Sequence, residues 1–315
     1  MRVRDVEKDL LTRAAGLNVW SQGKRRAPHK PLLLFLAVRR AQQGLPRTAP
    51  WSWWRDHLTL LLRDYAPNAS DTVAPDNPFR FLISDCLWEV TGYNTDDSEQ
   101  FIKAQQGRTH HSRAFKVSWL NRHDPAAGLP ADHHRVLTSD SGAADRLVRL
   151  LLQIHFPPTL WSDILADTGV AHDLHALVAL PDTVASVAAR KVGVRVRDPH
   201  FSARVFEADN GRCVVCLFDG HDSNNDRPVG LDAAHIEWHN IGGPDTLTNG
   251  ATLCPTHHRL FDRGMFCWLP KTRLLVPSPQ YSHQTLVAGL PAGQPAPERL
   301  DELHLTWQHA NVFRQ

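Results

Sequence analysis

The sequence has no long hydrophobic run and no recognisable secretion signal. Its longest apolar stretch, residues 31–38, is far shorter than the roughly 20 residues that a membrane-spanning helix needs. Residues 1–8 carry charged side chains where a signal peptide would need an apolar core. These absences argue against a membrane protein and a secreted protein. We therefore expect a soluble protein of the cytoplasm.

Cysteine is scarce, and its number is odd. Five cysteines in 315 residues cannot all pair in disulfides, and a chain without a secretion signal is expected to keep its thiols reduced. Cys86 and Cys267 stand apart from the others, and we expect both to be small buried hydrophobic side chains. The other three occur at the spacing of metal ligands, which favours zinc over disulfides.

Two C-x-x-[CH] pairs, separated by 37 residues, supply the ligands of this expected metal site. They are Cys213-Val-Val-Cys216 and Cys254-Pro-Thr-His257. Three sulfur atoms and one imidazole nitrogen suit the tetrahedral coordination of a structural zinc ion. The sequence therefore predicts one structural Zn²⁺ held by Cys213, Cys216, Cys254 and His257.

Neither sign of charge dominates the chain, whose formal net charge is +2 at pH 7. The first 60 residues nevertheless hold twelve Lys and Arg against four Asp and Glu, so their net charge is +8 and that of the remaining 255 residues is −6. A basic N-terminal segment is expected of a protein that docks on phosphates. A well-solvated helical surface is the alternative explanation.

Apolar periodicity predicts a chain of mixed secondary structure. Helices are predicted over residues 3–17, 31–40, 51–62, 147–154 and 256–263, and strands over residues 79–83, 87–90, 231–236 and 251–253. The pattern weakens between residues 169 and 190, where we place a connection between two domains.

His235, Asn249 and His258 follow one another at spacings of fourteen and nine residues. This pattern resembles the HNH nuclease motif of the ββα-metal fold, and the resemblance implies DNA cleavage. In that reaction we expect His235 to be the general base and Asn249 to tie the loop that aims it. His258 is then a ligand of a catalytic divalent cation such as Mg²⁺ or Mn²⁺.

The second ligand of this cation has two candidates. Asp262 stands four residues after His258, so a helix places both on one face. Asp232 stands three residues before His235, and strand alternation puts these two on opposite faces unless the strand bulges. Many HNH relatives carry a ligand immediately before the base, where this chain has Ala234. Both carboxylates therefore stay open.

Three stretches of the N-terminal half are similar to sulfur-binding domains, which recognise phosphorothioate-modified DNA. The first is Arg26-Ala-Pro-His-Lys-Pro-Leu-Leu-Leu-Phe35. The second, Asn77-Pro-Phe-Arg-Phe-Leu-Ile-Ser-Asp-Cys-Leu-Trp-Glu-Val90, has Asn77 where the family pattern has tyrosine. The third is Leu150-Leu-Leu-Gln-Ile-His-Phe-Pro157.

The resemblance implies a pocket that accepts sulfur and denies an ordinary phosphate its hydrogen bonds. Pro78 has a rigid apolar ring and no N–H, so it suits an exposed wall of this pocket, with Phe79 supporting it. The residues expected to hold flanking phosphates or read base edges are Arg26, His29, Lys30 and Arg80, whereas Asn77, in place of the family's tyrosine, alters the pocket wall. A second expected clamp is the loop residues Arg108, Thr109, His110, His111, Ser112 and Arg113. Turn-forming prolines are the alternative explanation.

Taken together, the two halves resemble the phosphorothioate-dependent, McrA-type (type IV) restriction endonucleases. The implied α+β protein has a mostly helical sulfur-binding domain with a small sheet at residues 1–170, a connection at residues 171–194, and a zinc-containing HNH domain at residues 195–315. It would hydrolyse phosphodiester bonds of double-stranded DNA near a phosphorothioate linkage. One HNH site cuts one strand, so a homodimer is one arrangement that would give double-strand breaks.

Two other functions fit the same residues. An HNH endonuclease could depend on methylated cytosine or on an unmodified sequence, and Trp51, Trp53 and Trp54 could then supply an aromatic cage. A zinc-stabilised DNA-binding protein without catalysis is the third function. The base sequence around the modification and the cleavage distance are not determined by the sequence.

Overall fold

The computed structural model describes residues 3–17, 19–22, 25–66, 73–91, 116–171, 177, 198–224, 227–282 and 289–315. Of residues 20–22 and 25–27 it describes the backbone alone. The fold is a mixture of helices and small sheets, which confirms the predicted α+β class. We call the described residues up to 171 the N-terminal lobe and those from 198 onwards the C-terminal lobe. The predicted connection, residues 171–194, lies almost entirely outside the described residues, so its bounds stay a prediction.

Helices dominate the N-terminal lobe. They are α1 (Val3–Ala15), α2 (His29–Gln42), α3 (Trp51–Tyr65), α4 (Asp76–Phe81), α5 (Val117–His123), α6 (Ala131–Ser139), α7 (Ser141–His155) and α8 (Trp161–Thr168). The strands are β1 (Trp20–Gln22), β2 (Arg25–Ala27), β3 (Thr48–Pro50), β4 (Glu89–Thr91) and β5 (Ala126–Gly128). Strands β1 and β2 form a hairpin, and the other three form an antiparallel sheet in the order β3-β5-β4. None of the helices in the described ranges is long and apolar enough to cross a bilayer.

Helix α2 is the central helix of this lobe. Its residues 32–38 are almost completely buried, with at most 3% exposure, at Ala37. Pro31 stands in the first turn, where a helix has no partner for the amide that proline lacks. Helices α3, α4 and α7 pack against α2, and α1 packs against α7. The apolar run that begins at Leu32 is therefore core, as its composition suggests.

The prediction of a strand over residues 79–83 is wrong, because Asp76–Phe81 form helix α4. Pro78 falls in the first turn of this helix, where proline is tolerated. Phe79 is fully buried, and its ring meets Trp51 edge to face, with 5.0 Å between centroids. An apolar run this short cannot distinguish a strand from a helical turn, so tertiary packing decided the outcome.

The C-terminal lobe is built around a hairpin and a crossing helix. Its helices are α9 (Phe201–Ala208), α10 (Pro255–Asp262) and α11 (Glu302–Asn311). Its strands are β6 (His221–Asp222), β7 (Arg227–Pro228), β8 (Asp232–His235), β9 (Gly250–Leu253), β10 (Phe266–Trp268) and β11 (Leu275–Pro277). They pair as β6-β7, β8-β9 and β10-β11, all antiparallel. Strands β8 and β9 with helix α10 confirm the predicted ββα unit.

The two lobes share a continuous apolar contact. Trp238, Trp307 and Val312 of the C-terminal lobe belong to the core of the N-terminal lobe. Around this contact Arg263 Nη1 donates to the Tyr65 hydroxyl at 2.9 Å, and Arg314 Nη1 donates to Asp64 Oδ1 at 3.0 Å. Helix α10 thus lies directly against the end of the N-terminal lobe, which places His258 beside that lobe.

The five cysteines are all free thiols. Cys267 is buried in β10, as predicted. The same prediction is wrong for Cys86, which is exposed. Cys86 stands in the turn after α4 with a φ of 55°, and this left-handed turn directs the chain away from the core before Leu87 re-enters it.

Candidate nuclease site, metal cluster and reader surface

Cys213, Cys216, Cys254 and His257 come together in the C-terminal lobe. Their ligand atoms all lie within 4.8 Å of one another, so the group could hold a metal ion. The Cys254 Sγ atom lies 3.2 Å from His257 Nδ1, and the Cys213 Sγ atom lies 3.7 Å from it. Cys254 is the residue that caps α10, so His257 in the first turn of α10 faces back toward it. The donor set of three sulfurs and one nitrogen is that of a structural zinc site.

The thiols of this cluster differ in acidity. Burial opposes ionisation of Cys213, but hydrogen bonds from His257 and nearby backbone amides outweigh it and lower its pKa to about 6. Burial raises the pKa of Cys216 to about 12, and the neighbouring Cys213 charge adds to this rise. Three thiolates at this separation repel one another, and a bound dication removes that repulsion. The chemistry of the donors therefore fits a zinc ion.

His235 stands at the end of β8 and is held by two contacts. Its ring stacks on Phe201 of α9, with 4.2 Å between centroids and 18° between planes. Its Nε2 atom lies 2.7 Å from Asp245 Oδ1. The Asp245 carboxylate also accepts from the backbone N–H of Asp198 at 2.7 Å. Burial opposes ionisation of Asp245, but this amide and His235 lower its pKa below the ordinary value.

Asn249 is fully buried and ties the loop between β8 and β9. Its Oδ1 accepts from the backbone N–H of Glu237 at 2.8 Å, and its Nδ2 donates to the carbonyls of Glu237 and Pro244 at 3.0 Å each. Pro244 immediately precedes Asp245. The Asn249 amide therefore fixes the part of the loop that carries the carboxylate partner of His235.

His258 lies between two carboxylates. Its Nδ1 is 3.1 Å from Asp232 Oδ2, and its Nε2 is 3.3 Å from Asp262 Oδ2. The Asp232 side chain is 47% exposed, whereas the Asp262 side chain is 1% exposed. The indole N–H of Trp238 donates to Asp262 Oδ1 at 2.9 Å, and the Thr159 hydroxyl donates to Asp262 Oδ2. Burial raises the pKa of Asp262.

Strand alternation separates the two sides of the hairpin. Register is continuous from the pair of Asp232 and Leu253 to the pair of His235 and Gly250, so β8 contains no bulge. The His235 ring faces α9, and the Asp232 carboxylate faces α10. The opposite orientation expected from the sequence is confirmed. His258 meets Asp232 through Nδ1 and Asp262 through Nε2, so the two carboxylates lie beside different nitrogens of its ring.

Helices α2 and α4, which carry several of the expected reader residues, pack against each other. Lys30 Nζ pairs with Asp85 Oδ2 at 2.6 Å. Arg80 pairs with Asp76, and its Nη2 donates to Asn77 Oδ1 at 3.2 Å. Burial lowers the pKa of His29 to about 4, so His29 is neutral at pH 7. Lys30 and Arg80 are therefore each already held in an ion pair within the protein.

The expectation that Pro78 presents its ring as an exposed wall is wrong. Pro78 and Phe79 are both buried, because α4 places that side of its first turn against the core. Asn77 and Arg80 are half-buried and stay at the surface above them. The Arg26 side chain and the expected clamp residues of the 107–113 loop lie outside the described residues, so their roles stay predictions.

An aromatic cage for a methylated base is not formed by the three tryptophans considered for it. Trp51 and Trp54 are 1% exposed and belong to the core. Trp53 is half-buried, stacked on His57 at 4.0 Å, with the Arg40 guanidinium 4.6 Å from its ring centroid. A flipped base therefore cannot reach Trp51 or Trp54, and Trp53 already stacks on His57.

Four contributors to the site were missed by the sequence interpretation: Phe201, Asp245, Trp238 and Thr159. Phe201 and Asp245 act on His235, and Trp238 and Thr159 act on Asp262. Thr159 stands 103 residues from Asp262 in the chain. The carboxylate of Asp245, shortly after the expected base, is the single feature of the four that the sequence could have suggested.

Comparison with known proteins agrees with this arrangement. Residues 7–173 match the family model "ScoMcrA-like, DNA sulfur-binding domain", and residues 213–267 match the family model "HNH endonuclease". A search of curated proteins gave no match.

Similar solved structures come from McrA proteins. The sulfur-binding domain of SprMcrA, complexed with phosphorothioated DNA, is 22% identical and has a TM-score of 0.44, covering 54% of this chain and 98% of that one. The sulfur-binding domain of ScoMcrA, also complexed with phosphorothioated DNA, is 27% identical with a TM-score of 0.39 and the same coverages. The type IV phosphorothioation-dependent restriction endonuclease ScoMcrA is 17% identical with a TM-score of 0.38, covering 79% of this chain and 93% of that one. Because the sulfur-binding model spans residues 7–173, more than half of the chain, the protein belongs to the ScoMcrA-like DNA sulfur-binding domain family, with an HNH endonuclease domain following in the same chain.

Proposed function

We propose that the protein is a modification-dependent DNA endonuclease. Residues 1–170 recognise double-stranded DNA that carries a phosphorothioate linkage, and residues 195–315 hydrolyse a phosphodiester bond nearby. The observation that carries this proposal is the succession of a DNA sulfur-binding model and an HNH endonuclease model in one chain. Because Trp51 and Trp54 are buried in the core, they cannot form an aromatic cage, and this weakens the methylcytosine alternative.

His235 is the general base of this proposal. If its Nε2–H donates to Asp245, the lone pair of the neutral imidazole is on Nδ1, and Nδ1 can take a proton from the attacking water. Stacking on Phe201 opposes rotation of the imidazole about its Cβ–Cγ bond, because that rotation would push the edge of the ring into the Phe201 face. Asn249 holds the loop that carries Asp245, so its role is to keep this alignment.

A divalent cation is implied by the HNH domain, and the residues present fit one. His258 Nδ1 of α10 and the half-exposed Asp232 carboxylate of β8 are nitrogen and oxygen donors 3.1 Å apart. Mg²⁺ or Mn²⁺ bound there would supply charge stabilisation to the scissile phosphate and the leaving oxygen. Asp262 lies on the other side of the same imidazole.

Zinc has a separate, structural role in this proposal. Cys213, Cys216, Cys254 and His257 would hold it, and the two pairs come from chain segments on either side of the hairpin. Because Cys254 caps α10, the bound ion would fix the start of that helix. His258 follows in the next position, so zinc supports the geometry of the nuclease site without touching it.

The reader surface is proposed at the contact of α2 and α4. Sulfur in place of a phosphate oxygen keeps the negative charge but is larger and less hydrated. A surface that leaves an ordinary phosphate oxygen dry without a partner disfavours it by about 1–3 kcal/mol. Asn77 and Arg80 are the half-buried residues positioned to contact DNA, and the buried Pro78 and Phe79 support them from beneath.

The proposal is tested by digesting matched plasmids that differ only in phosphorothioate modification, in Mg²⁺ and in Mn²⁺. We expect cleavage of the modified plasmid alone, and no cleavage by His235→Ala, which should still bind the modified DNA. Equal cleavage of both plasmids would refute the sulfur-reading role. Cleavage dependent on methylcytosine in a parallel substrate would favour that alternative. Binding without cleavage in either metal would favour the non-catalytic alternative.

A further inference from the structure

Asp262 lies where the two lobes meet, and protein donors surround it. Oδ1 accepts from the indole N–H of Trp238 at 2.9 Å. Oδ2 accepts from the hydroxyl of Thr159 and lies 3.3 Å from His258 Nε2. Thr159 belongs to the short 3₁₀ helix Pro158–Leu160 of the N-terminal lobe. The carboxylate is therefore a point at which the N-terminal lobe touches the proposed nuclease site.

Accessibility distinguishes Asp262 from Asp232. A catalytic cation must contact water and a phosphate as well as its protein ligands. The Asp262 side chain is 1% exposed and both of its oxygens have protein partners, so a hydrated cation reaches it only if those contacts break. The Asp232 side chain is 47% exposed and lies beside the other ring nitrogen of His258. The two carboxylates therefore have different roles.

We propose that Asp262 is a positioning residue and that Asp232 with His258 Nδ1 provides the cation ligands. Asp262 Oδ2 lies 3.3 Å from His258 Nε2, where it would accept the Nε2–H once Nδ1 binds the cation, and this contact would fix the ring orientation that directs Nδ1 toward Asp232. Thr159 in turn holds Asp262, so the N-terminal lobe contributes a hydroxyl to the alignment of a ligand in the C-terminal lobe. This inference rests on the proposed cation-dependent nuclease function.

Neighbouring side-chain contacts fix the position of Thr159 relative to α10. Arg259 of α10 pairs with Asp163 of α8, and Arg263 Nη1 donates to the Tyr65 hydroxyl at 2.9 Å. Pro158, the residue before Thr159, restricts the backbone of the short 3₁₀ helix. The hydroxyl of Thr159 therefore meets Asp262 within a contact that further side-chain pairs hold in place.

The experiment measures Mn²⁺ binding to the full-length, zinc-loaded protein by electron paramagnetic resonance of free Mn²⁺. Partners of metal-ligating histidines typically contribute roughly 10- to 100-fold to metal affinity. We therefore expect Thr159→Val, which keeps the shape and removes the hydroxyl, to weaken Mn²⁺ binding about 10-fold. Thr159→Ser keeps the hydroxyl and should bind like the wild type. Asp262→Asn should weaken binding, whereas Asp232→Asn should abolish it.

Arg314→Ala is the control for the interface, because it removes the contact with Asp64 without touching Asp262. It should keep wild-type Mn²⁺ affinity, and zinc content should stay at one ion per chain in all variants. The assignment would be overturned if Thr159→Val bound Mn²⁺ with wild-type affinity. It would also be overturned if Asp262→Asn abolished Mn²⁺ binding while Asp232→Asn retained it. A wild-type protein that binds no Mn²⁺ and cleaves no DNA would instead overturn the proposed nuclease function.

Discussion

Asp245 offers the sharpest test of how the proposed base is aligned. Its carboxylate accepts two hydrogen bonds in a poorly exposed site, one from the N–H of Asp198 and one from His235 Nε2, each 2.7 Å long. Asp245→Asn keeps the size but leaves a single acceptor oxygen for two donors. If that oxygen stays with Asp198, the new amide N–H faces His235 and the ring proton moves to Nδ1. Nδ1 can then no longer accept a proton from water.

The magnitude follows from the strength of the lost interaction. A hydrogen bond to a charged group contributes about 1.5–3 kcal/mol, and its partners here are only 8% and 12% exposed, so solvent weakens it little. Since about 1.4 kcal/mol corresponds to a factor of ten in rate, kcat should fall roughly 10- to 100-fold. KM for modified DNA should stay unchanged, because Asp245 does not belong to the proposed reader surface.

The assay is single-turnover cleavage of a labelled phosphorothioate duplex, with binding measured separately by gel shift. Asp219→Asn is the matched control, since it removes the same charge from a side chain that is 62% exposed in the same lobe. It should cleave at the wild-type rate. A wild-type kcat in Asp245→Asn, or a loss confined to KM, would refute a positioning role for this carboxylate.

Two further predictions concern metal content and pH. Elemental analysis should find one zinc ion per chain, and Cys213→Ser should lose it. Cys86→Ser should retain the ion, because Cys86 lies outside the cluster. Zinc retained in Cys213→Ser would exclude this ligand set. The pKa of His29 falls through burial from 6.5 to about 4, so the unfolded chain binds a proton that the folded one excludes. Stability is therefore complete above pH 6.5 and decreases by up to about 3 kcal/mol as the pH falls toward 4. Denaturant melts should show that His29→Gln flattens this decrease, and an unchanged slope would contradict it.

The parts of the site that the sequence predicted are those whose partners are local in sequence. Strands β8 and β9 pair in one continuous register that ends with Asp232 opposite Leu253. Cys254, the residue after Leu253, and His257 therefore come close to Cys213. The backbone N–H of Val214 donates to the Thr252 carbonyl at 2.9 Å, which fastens the first pair beside the second strand. Two short ligand pairs and one hairpin therefore sufficed to predict this cluster.

The sequence was less informative wherever burial depends on distant segments. Pro78 was expected at the surface and is buried, and Cys86 was expected in the core and is exposed. Both stand in or beside α4, a helix of six residues whose orientation is set by α2 and Trp51 rather than by its own periodicity. A short element has too few residues to define an apolar face, so only its tertiary neighbours decide which side is inside.

The motifs suggest two independent domains, but the packing joins them at residues of the proposed nuclease site. Trp238 follows the proposed base by three residues, lies in the core of the N-terminal lobe, and donates its indole N–H to Asp262. One side chain thus links the hairpin, α10 and the N-terminal core. Thr159 reaches the same carboxylate from the other side. The two lobes therefore share structural groups at Asp262, and in our proposal the geometry of the cation site depends on their contact.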